Sequence, residues 1–212
     1  MKNSSQTRYL MQVALMAAIV VLVAFVPFLG YIPLVVIKAT TVHIPVIIGA
    51  ILLGPKAGGI LGAVFGITSI IKNTIEPSLV SFVFSPFIPV PGTASGSLKS
   101  LLVALVPRIL IGVLSGLIFR AIAKQDSSPS KVRLSAGTAA FVGSAVNTAF
   151  VMGGIYFLFG QEYAAAKQMA FETLSKFVLT VVFTNGLAEA LVAVIITAAI
   201  APPLRKYFEN NR

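Results

Sequence analysis

The chain contains no cysteine, no tryptophan and one histidine, and only 6 acidic residues in 212. Without cysteine there is no disulfide framework, no thiolate metal site and no cysteine nucleophile. A single histidine excludes a histidine-rich metal site. Together with the lack of clustered carboxylates, it argues against an intramembrane enzyme. Charge of either sign is scarce, at 10% of residues, where a soluble domain carries about 25%. With 57% hydrophobic residues and a mean hydropathy of +0.97, this chain cannot cover a water-facing surface. The same apolar excess excludes disorder. What remains is an all-α integral membrane protein, read as one domain over residues 1–212.

A spanning helix needs about 20 mostly apolar residues. The first such run is Tyr9 to Phe28, too long for the apolar core of a cleavable signal. After a polar-tinged stretch, Lys38 to Thr41, two shorter blocks follow, Val42 to Leu53 and Gly59 to Ile71. A tight turn at Gly54–Gly58 divides them, so they predict a helical hairpin. The segment Lys72 to Lys99 holds Pro77, Pro86, Pro89, Pro91, Gly92 and Gly96 yet stays apolar. It predicts a long structured loop that packs back on the helices. A fourth helix is expected over Leu98–Ile122, then a polar linker, Lys124 to Arg133. A fifth helix is expected over Leu134–Phe159, followed by a turn at Gly160–Tyr163. Ala164 to Lys176 forms an amphipathic lead-in to a sixth helix, Phe177–Ile200, which should end at Pro202–Pro203.

Six transmembrane helices place both termini on one side, and the basic residues say which. Lys2, Arg8, Lys56, Arg120, Lys124, Lys131, Arg133, Arg205, Lys206 and Arg212 share one side; Lys38, Lys72, Lys99, Arg108, Lys167 and Lys176 lie elsewhere. The richer side is expected to be cytoplasmic, which puts the long loop between helices three and four outside. Basic residues at the ends of apolar runs also remove the case for nucleic-acid binding.

Polar groups deep in apolar helices mark cavities or partners. Arg108 lies about ten residues into the fourth helix, ~15 Å deep at the helical rise. Pro107 before it frees backbone carbonyls for other partners. Glu189 is equally deep in the sixth helix, with Asn185 at the i,i+4 spacing that shares its face. Asn147 lies within the fifth helix. Lys72 and Asn73 end the third, and Lys38, Thr40, Thr41 and His43 mark the mouth of the second. Two interpretations stand side by side: structural ion-pairing of Arg108 with Glu189 and hydrogen bonding of the asparagines between helices, or a polar site open to the outside. Lys38, Lys72, Lys99, Lys167 and Lys176 outnumber Glu76, Glu162 and Glu172 on the outer side, which suits an anionic or strongly polar small molecule. Phe82, Phe84 and Phe87 on the loop are placed to close over it.

Small residues recur four apart at Ala14 and Ala18, at Gly58, Gly62 and Gly66, and at Gly112 and Gly116. Each set lets another helix approach closely, within the chain or on a partner. There is no phosphate-binding loop and no relay of Asp, Glu or His across the membrane. Concentrative transport would therefore need an energised partner.

These features together resemble the substrate-binding S components of energy-coupling factor (ECF) vitamin transporters. The likeness spans essentially the whole chain. It is most specific in Lys38-Ala-Thr-Thr-Val-His-Ile-Pro-Val-Ile-Ile-Gly-Ala-Ile-Leu-Leu-Gly-Pro-Lys-Ala-Gly58, whose tail is similar to the family's Leu-Gly-Pro-x-x-Gly turn. The Ala14–Ala18 pair is similar to the family's Ala-x-x-x-Ala docking motif. Pro107-Arg-Ile-Leu-Ile-Gly112, with Ser81-Phe-Val-Phe-Ser-Pro-Phe87, looks most like pantothenate-type members; pyridoxine and hydroxymethylpyrimidine types are the alternatives. The resemblance implies a multi-pass protein of the bacterial cell membrane that captures a vitamin from outside. It implies docking on a transmembrane coupling protein driven by two ATPase subunits, with ATP used there and no cofactor in this chain. The candidate binding residues are Arg108, Asn147, Asn185, Glu189, Lys38, Thr41, His43, Lys72, Asn73 and Phe84, and the docking residues Ala14 and Ala18. A membrane scaffold with no small-molecule ligand is the alternative of a different class.

Overall fold

The computed structural model describes residues 2–26, 31–34, 37–124 and 127–210, with side chains from residue 6 onward except in 31–39 and 209–210. Seven α-helices and one small hairpin make up the described fold: α1 (Lys2–Phe25), β1 (Tyr31–Leu34), β2 (Ile37–Thr40), α2 (His43–Leu53), α3 (Pro55–Ile75), α4 (Lys99–Ile122), α5 (Pro129–Ala166), α6 (Phe171–Val181) and α7 (Leu187–Asn210). A π turn, Val182–Gly186, joins α6 to α7, so the two form one long apolar rod over Phe171–Phe208. Among the described residues five helical segments are long and apolar enough to cross a membrane, and His43–Leu53 is a shorter apolar helix of 11 residues.

Several boundaries differ from the sequence expectation, each for a local reason. The first helix stops at Phe25, because the residue before Pro27 is pushed out of helical geometry; residues 27 and 28 lie outside those described. The turn after α2 is made by Gly54 alone, at φ 100°, a conformation that suits glycine. Pro55 then opens α3 at its first turn, where a missing N–H costs nothing. Hence α3 is not a short block but 21 residues, and Lys72 to Ile75 belong to it rather than to the loop. Gly160–Tyr163 is helical, not a turn: α5 runs on to Ala166 through a kink at Phe159, φ −139°. The true break is Lys167–Ala170, where Gln168 takes φ 55°. Pro202 and Pro203 lie within α7 and do not end it, since proline's fixed φ is itself helical. The β1–β2 hairpin was not expected; only its last three residues, Lys38 to Thr40, fall in the polar-tinged stretch. Its strands pair antiparallel, Tyr31 with Thr40 and Leu34 with Ile37.

The glycine stripe of α3 is consumed inside the fold. A Cβ on Gly58 would run into the Gly112 carbonyl and one on Gly62 into the Arg108 carbonyl, and one on Gly66 would lie 2.8 Å from Ala104 O. Gly116 faces the Pro55 Cα in the same way, at 2.7 Å. Thus α3 and α4 meet backbone to backbone, the close approach that small residues permit in lipid. Ala14 and Ala18, by contrast, are exposed on α1, among Leu10, Met11, Leu15 and Leu22.

Within residues 76–98, Ser81 to Val83, Ser85 and Val90 are buried against the bundle. Asn73 Oδ1 accepts from Ser81 Oγ at 2.9 Å, Thr74 and Ser85 share a hydroxyl contact of 2.7 Å, and the Phe82 ring meets Phe159 edge to face. Lys72 Nζ donates to Ala24 O at 3.1 Å, so the ends of α1 and α3, where the hairpin and the loop begin, lie together. At the opposite end Arg205 donates to Lys124 O at 2.8 Å.

Gly62→Val is expected to destabilise the detergent-purified protein by about 3 kcal/mol or more, because the obstruction is backbone and cannot yield. Gly153→Ala, at a site with nothing within 4 Å, should leave the thermal midpoint unchanged or raise it. Equal midpoints for Gly62→Val and the parent would disprove this packing.

Candidate functional site

The bundle interior is not one continuous core. One apolar cluster contains Ile44, Ile47, Phe65, Ile111, Ala139, Ala140 and Ala193; a second, under the loop, contains Phe82, Val103, Met152, Phe159 and Leu174. The deep polar residues fall between the two. On α4 the clusters are represented by Val103 and Ile111, with Arg108 between them. On α5 they are represented by Met152 and Ala140, with Ser144 and Asn147 between. On the last rod they are represented by Val182 and Val192, with Asn185 and Glu189 between. A polar seam therefore crosses three helices at one depth.

Arg108 is placed in this seam by its own neighbour. Pro107 has no N–H to give to the carbonyl four residues back, which is that of Val103. Arg108 Nη1 donates to that same Val103 carbonyl at 2.7 Å. The guanidinium is then held between two rings, 5.5 Å from the Phe65 centroid on α3 and 5.2 Å from that of Phe84 on the loop. Cation–π contact of this kind is worth more when desolvated, and Arg108 is 8% exposed.

Glu189 is bound by the hairpin. Its Oε1 accepts from the Thr40 backbone N–H at 2.9 Å and from Thr40 Oγ1 at 2.7 Å. The His43 ring hydrogen-bonds the Thr40 backbone in turn, and the Arg108 charge acts on Glu189 across the seam. Three buried atoms here have no hydrogen-bond partner among the described residues: His43 Nε2, Ser144 Oγ and Asn147 Oδ1. Buried polar atoms are rarely left so. Ser144 and Asn147 stand i,i+3 on one face of α5.

The other candidates are placed differently. Phe84 stacks on Arg108, while Phe82 is a core residue and Phe87 is 73% exposed. Asn185 lies in the π turn and accepts from Thr184 Oγ1 at 3.1 Å, so no straight α-helical face joins it to Glu189. Thr41 is buried and its carbonyl accepts from Ile44 N. Lys72 and Asn73 are engaged in fastening α1 and the loop. Asn73 also donates to Ser69 O, at 2.9 Å. Lys38 is in β2, its side chain outside those described. Sequence reasoning passed over Ser144, whose spacing to Asn147 was the available signal. Of the two threonines named at the mouth of the second helix, Thr40 bonds Glu189 and Thr41 is buried beside it.

Five helices of spanning length and a seam of buried hydrogen-bonding atoms without partners among the described residues define a multi-pass membrane bundle with a polar interior. The chain belongs to the family of ECF transporter substrate-specific components, whose family model matches residues 8–201. It is 38% identical over 211 residues to the pantothenic acid transporter PanT of Lactococcus lactis subsp. cremoris (strain MG1363), covering 100% of both chains. It is 32% identical over 123 residues to the pantothenate transporter PanT of Leuconostoc mesenteroides subsp. mesenteroides, covering 55% of this chain and 53% of that one.

Asn147→Leu should leave the stability of the ligand-free protein within about 0.5 kcal/mol or raise it, because an acceptor without a partner loses nothing. Thr40→Val should lower stability by about 1–2 kcal/mol, because it strips a donor from a bound carboxylate. Thermal unfolding without ligand decides both; the reverse order of the two effects would contradict the seam.

Proposed function

We propose that this chain is the capture subunit of an ECF-type importer, taking pantothenate from outside and delivering it by docking on an ATP-driven coupling module. The observation that carries the ligand class is the guanidinium clamped between Phe65 and Phe84 in a seam with unfilled hydrogen-bonding atoms. Pantothenate offers a carboxylate, two hydroxyls and an amide. Arg108 takes the carboxylate, since its planar fork matches that group. Asn147, Ser144 and His43 take the hydroxyls and the amide. The full-length likeness to a pantothenic acid transporter supports this ligand over other vitamins.

In the membrane, the five spanning segments and α2 act as six helices, with residues 76–98 outside and both termini cytoplasmic. The ends of the fold support that orientation. Gly54 lies against the Arg120 side chain, and Arg205 bonds the Lys124 carbonyl. The α2–α3 turn, the α4–α5 linker and the C-terminal helix thus share one basic end, as cytoplasmic segments do. Coupling-protein contact falls to Ala14 and Ala18. Of the three small-residue stripes, the glycine sets are buried against each other while this pair stays exposed on α1. ATP is consumed by the partner subunits, and this chain needs no cofactor.

Arg108→Ala is expected to weaken pantothenate binding about 100-fold or more, as loss of a buried charged contact does, with the thermal midpoint checked in parallel. Unchanged affinity in isothermal calorimetry sinks the assignment, and no binding of pantothenate by the parent sinks the ligand. Ala14→Trp combined with Ala18→Trp should abolish uptake in cells while binding by the purified subunit persists. Uptake that survives both substitutions would reject the docking face.

A further inference from the structure

We infer that Glu189 is a positioning residue rather than a ligand contact: by holding Thr40 it pins the β1–β2 hairpin to the start of α7 and sets how long a ligand stays in the seam. This rests on the capture function proposed above.

Four observations converge on it. Both bonds to Glu189 use one carboxylate oxygen and one hairpin residue, at 2.7 and 2.9 Å, across 149 positions of sequence. Thr40 is the last residue of β2 and lies three before His43, whose ring also bonds its backbone. One residue thereby ties the hairpin, the head of α2 and the head of α7. Among the described residues, β2 packs against the π turn and α7, and the hairpin makes no comparable contact with α3, α4 or α5. Thr40 is the hairpin residue whose side chain is described, and that side chain bonds Glu189. Finally, Glu189 lies three residues past the end of the π turn Val182–Gly186, and such turns frequently sit at functional sites.

The geometry separates two kinds of residue in the seam. Asn147, Ser144 and His43 present atoms with no partner, which a ligand can occupy. Glu189 Oε1 already holds two donors. The hairpin leaves the end of the bundle where α1 and α3 meet, the end that also carries the loop. A ligand entering the seam from that end passes beside the hairpin. Losing the tether should therefore speed escape more than it alters recognition.

The chain has no cysteine, so one introduced thiol reports on the hairpin without interference. Ala39→Cys provides it, and the probe is a bulky maleimide applied to detergent-purified protein without ligand. In that background Thr40→Val and Glu189→Leu are expected each to raise the labelling rate about tenfold, the scale of a lost charge-assisted bond. The double variant should exceed neither single one, because both break one link. Glu189→Gln, which keeps an acceptor oxygen, should stay close to the parent. Dissociation of radiolabelled pantothenate should quicken in the same order, with association little changed.

Labelling rates that do not move in Thr40→Val and Glu189→Leu overturn the inference. So does a Glu189→Leu protein that loses pantothenate binding while Thr40→Val alters neither labelling nor dissociation, the pattern of direct ligand contact. If the parent binds no pantothenate, the capture function fails separately, and the labelling rates still decide whether Glu189 holds the hairpin.

Discussion

Keeping a guanidinium in the middle of a hydrophobic bundle is the constraint around which this protein is arranged. Arginine stays charged at any physiological pH, and burying it unaided is costly. Here the solution begins one residue earlier. Pro107 deletes the N–H that the Val103 carbonyl would have received, and Arg108 supplies the replacement donor. Two aromatic rings from separate elements then lie within cation–π distance of it. The α3–α4 contact is drawn tight at the same level, where Gly62 abuts the Arg108 carbonyl. Proline, arginine, glycine and the loop phenylalanine form one unit, and none of their positions makes sense without the others.

That unit also explains why the interior divides into two apolar clusters. A buried cation must be surrounded by polarisable or polar atoms, and the apolar packing is interrupted at its depth on α4, α5 and the last rod. The interruption is filled by Ser144, Asn147, Asn185 and Glu189, and by the hairpin residue that reaches Glu189. The unfilled atoms among them are a stability cost that an apolar substitution would remove. Sites that hold ligands commonly carry such a cost.

Much of the architecture was legible because membrane helices announce themselves by length and apolarity. Legibility failed where two local preferences compete. Gly54-Pro55 reads as a long turn, yet proline is at ease in a helix's first turn, so α3 begins at once. Pro202-Pro203 reads as a stop, yet the helix passes through. The hairpin was missed because a pair of four-residue strands has no periodicity that stands out from an apolar background. A simple rule, polar groups at mid-depth, picked out Arg108, Asn147 and Glu189 as candidates. Lys72 and Asn73 were named for their place at the end of the third helix, and there their side chains bond Ala24 O, Ser69 O and Ser81 Oγ.

Membrane residence, the long apolar segments and the depth of Arg108 within the fourth of them are determined by the chain alone. They follow from transfer energies that depend on residue type and run length, not on neighbours. Only the tertiary structure decided which small-residue stripe was already occupied, and that the carboxylate of Glu189 belongs to Thr40 rather than to a simple pair with Arg108. Those are questions of which surfaces meet across long stretches of chain, settled by helix rotation and hairpin register. A shift of one residue in either changes every contact while leaving composition and hydropathy the same.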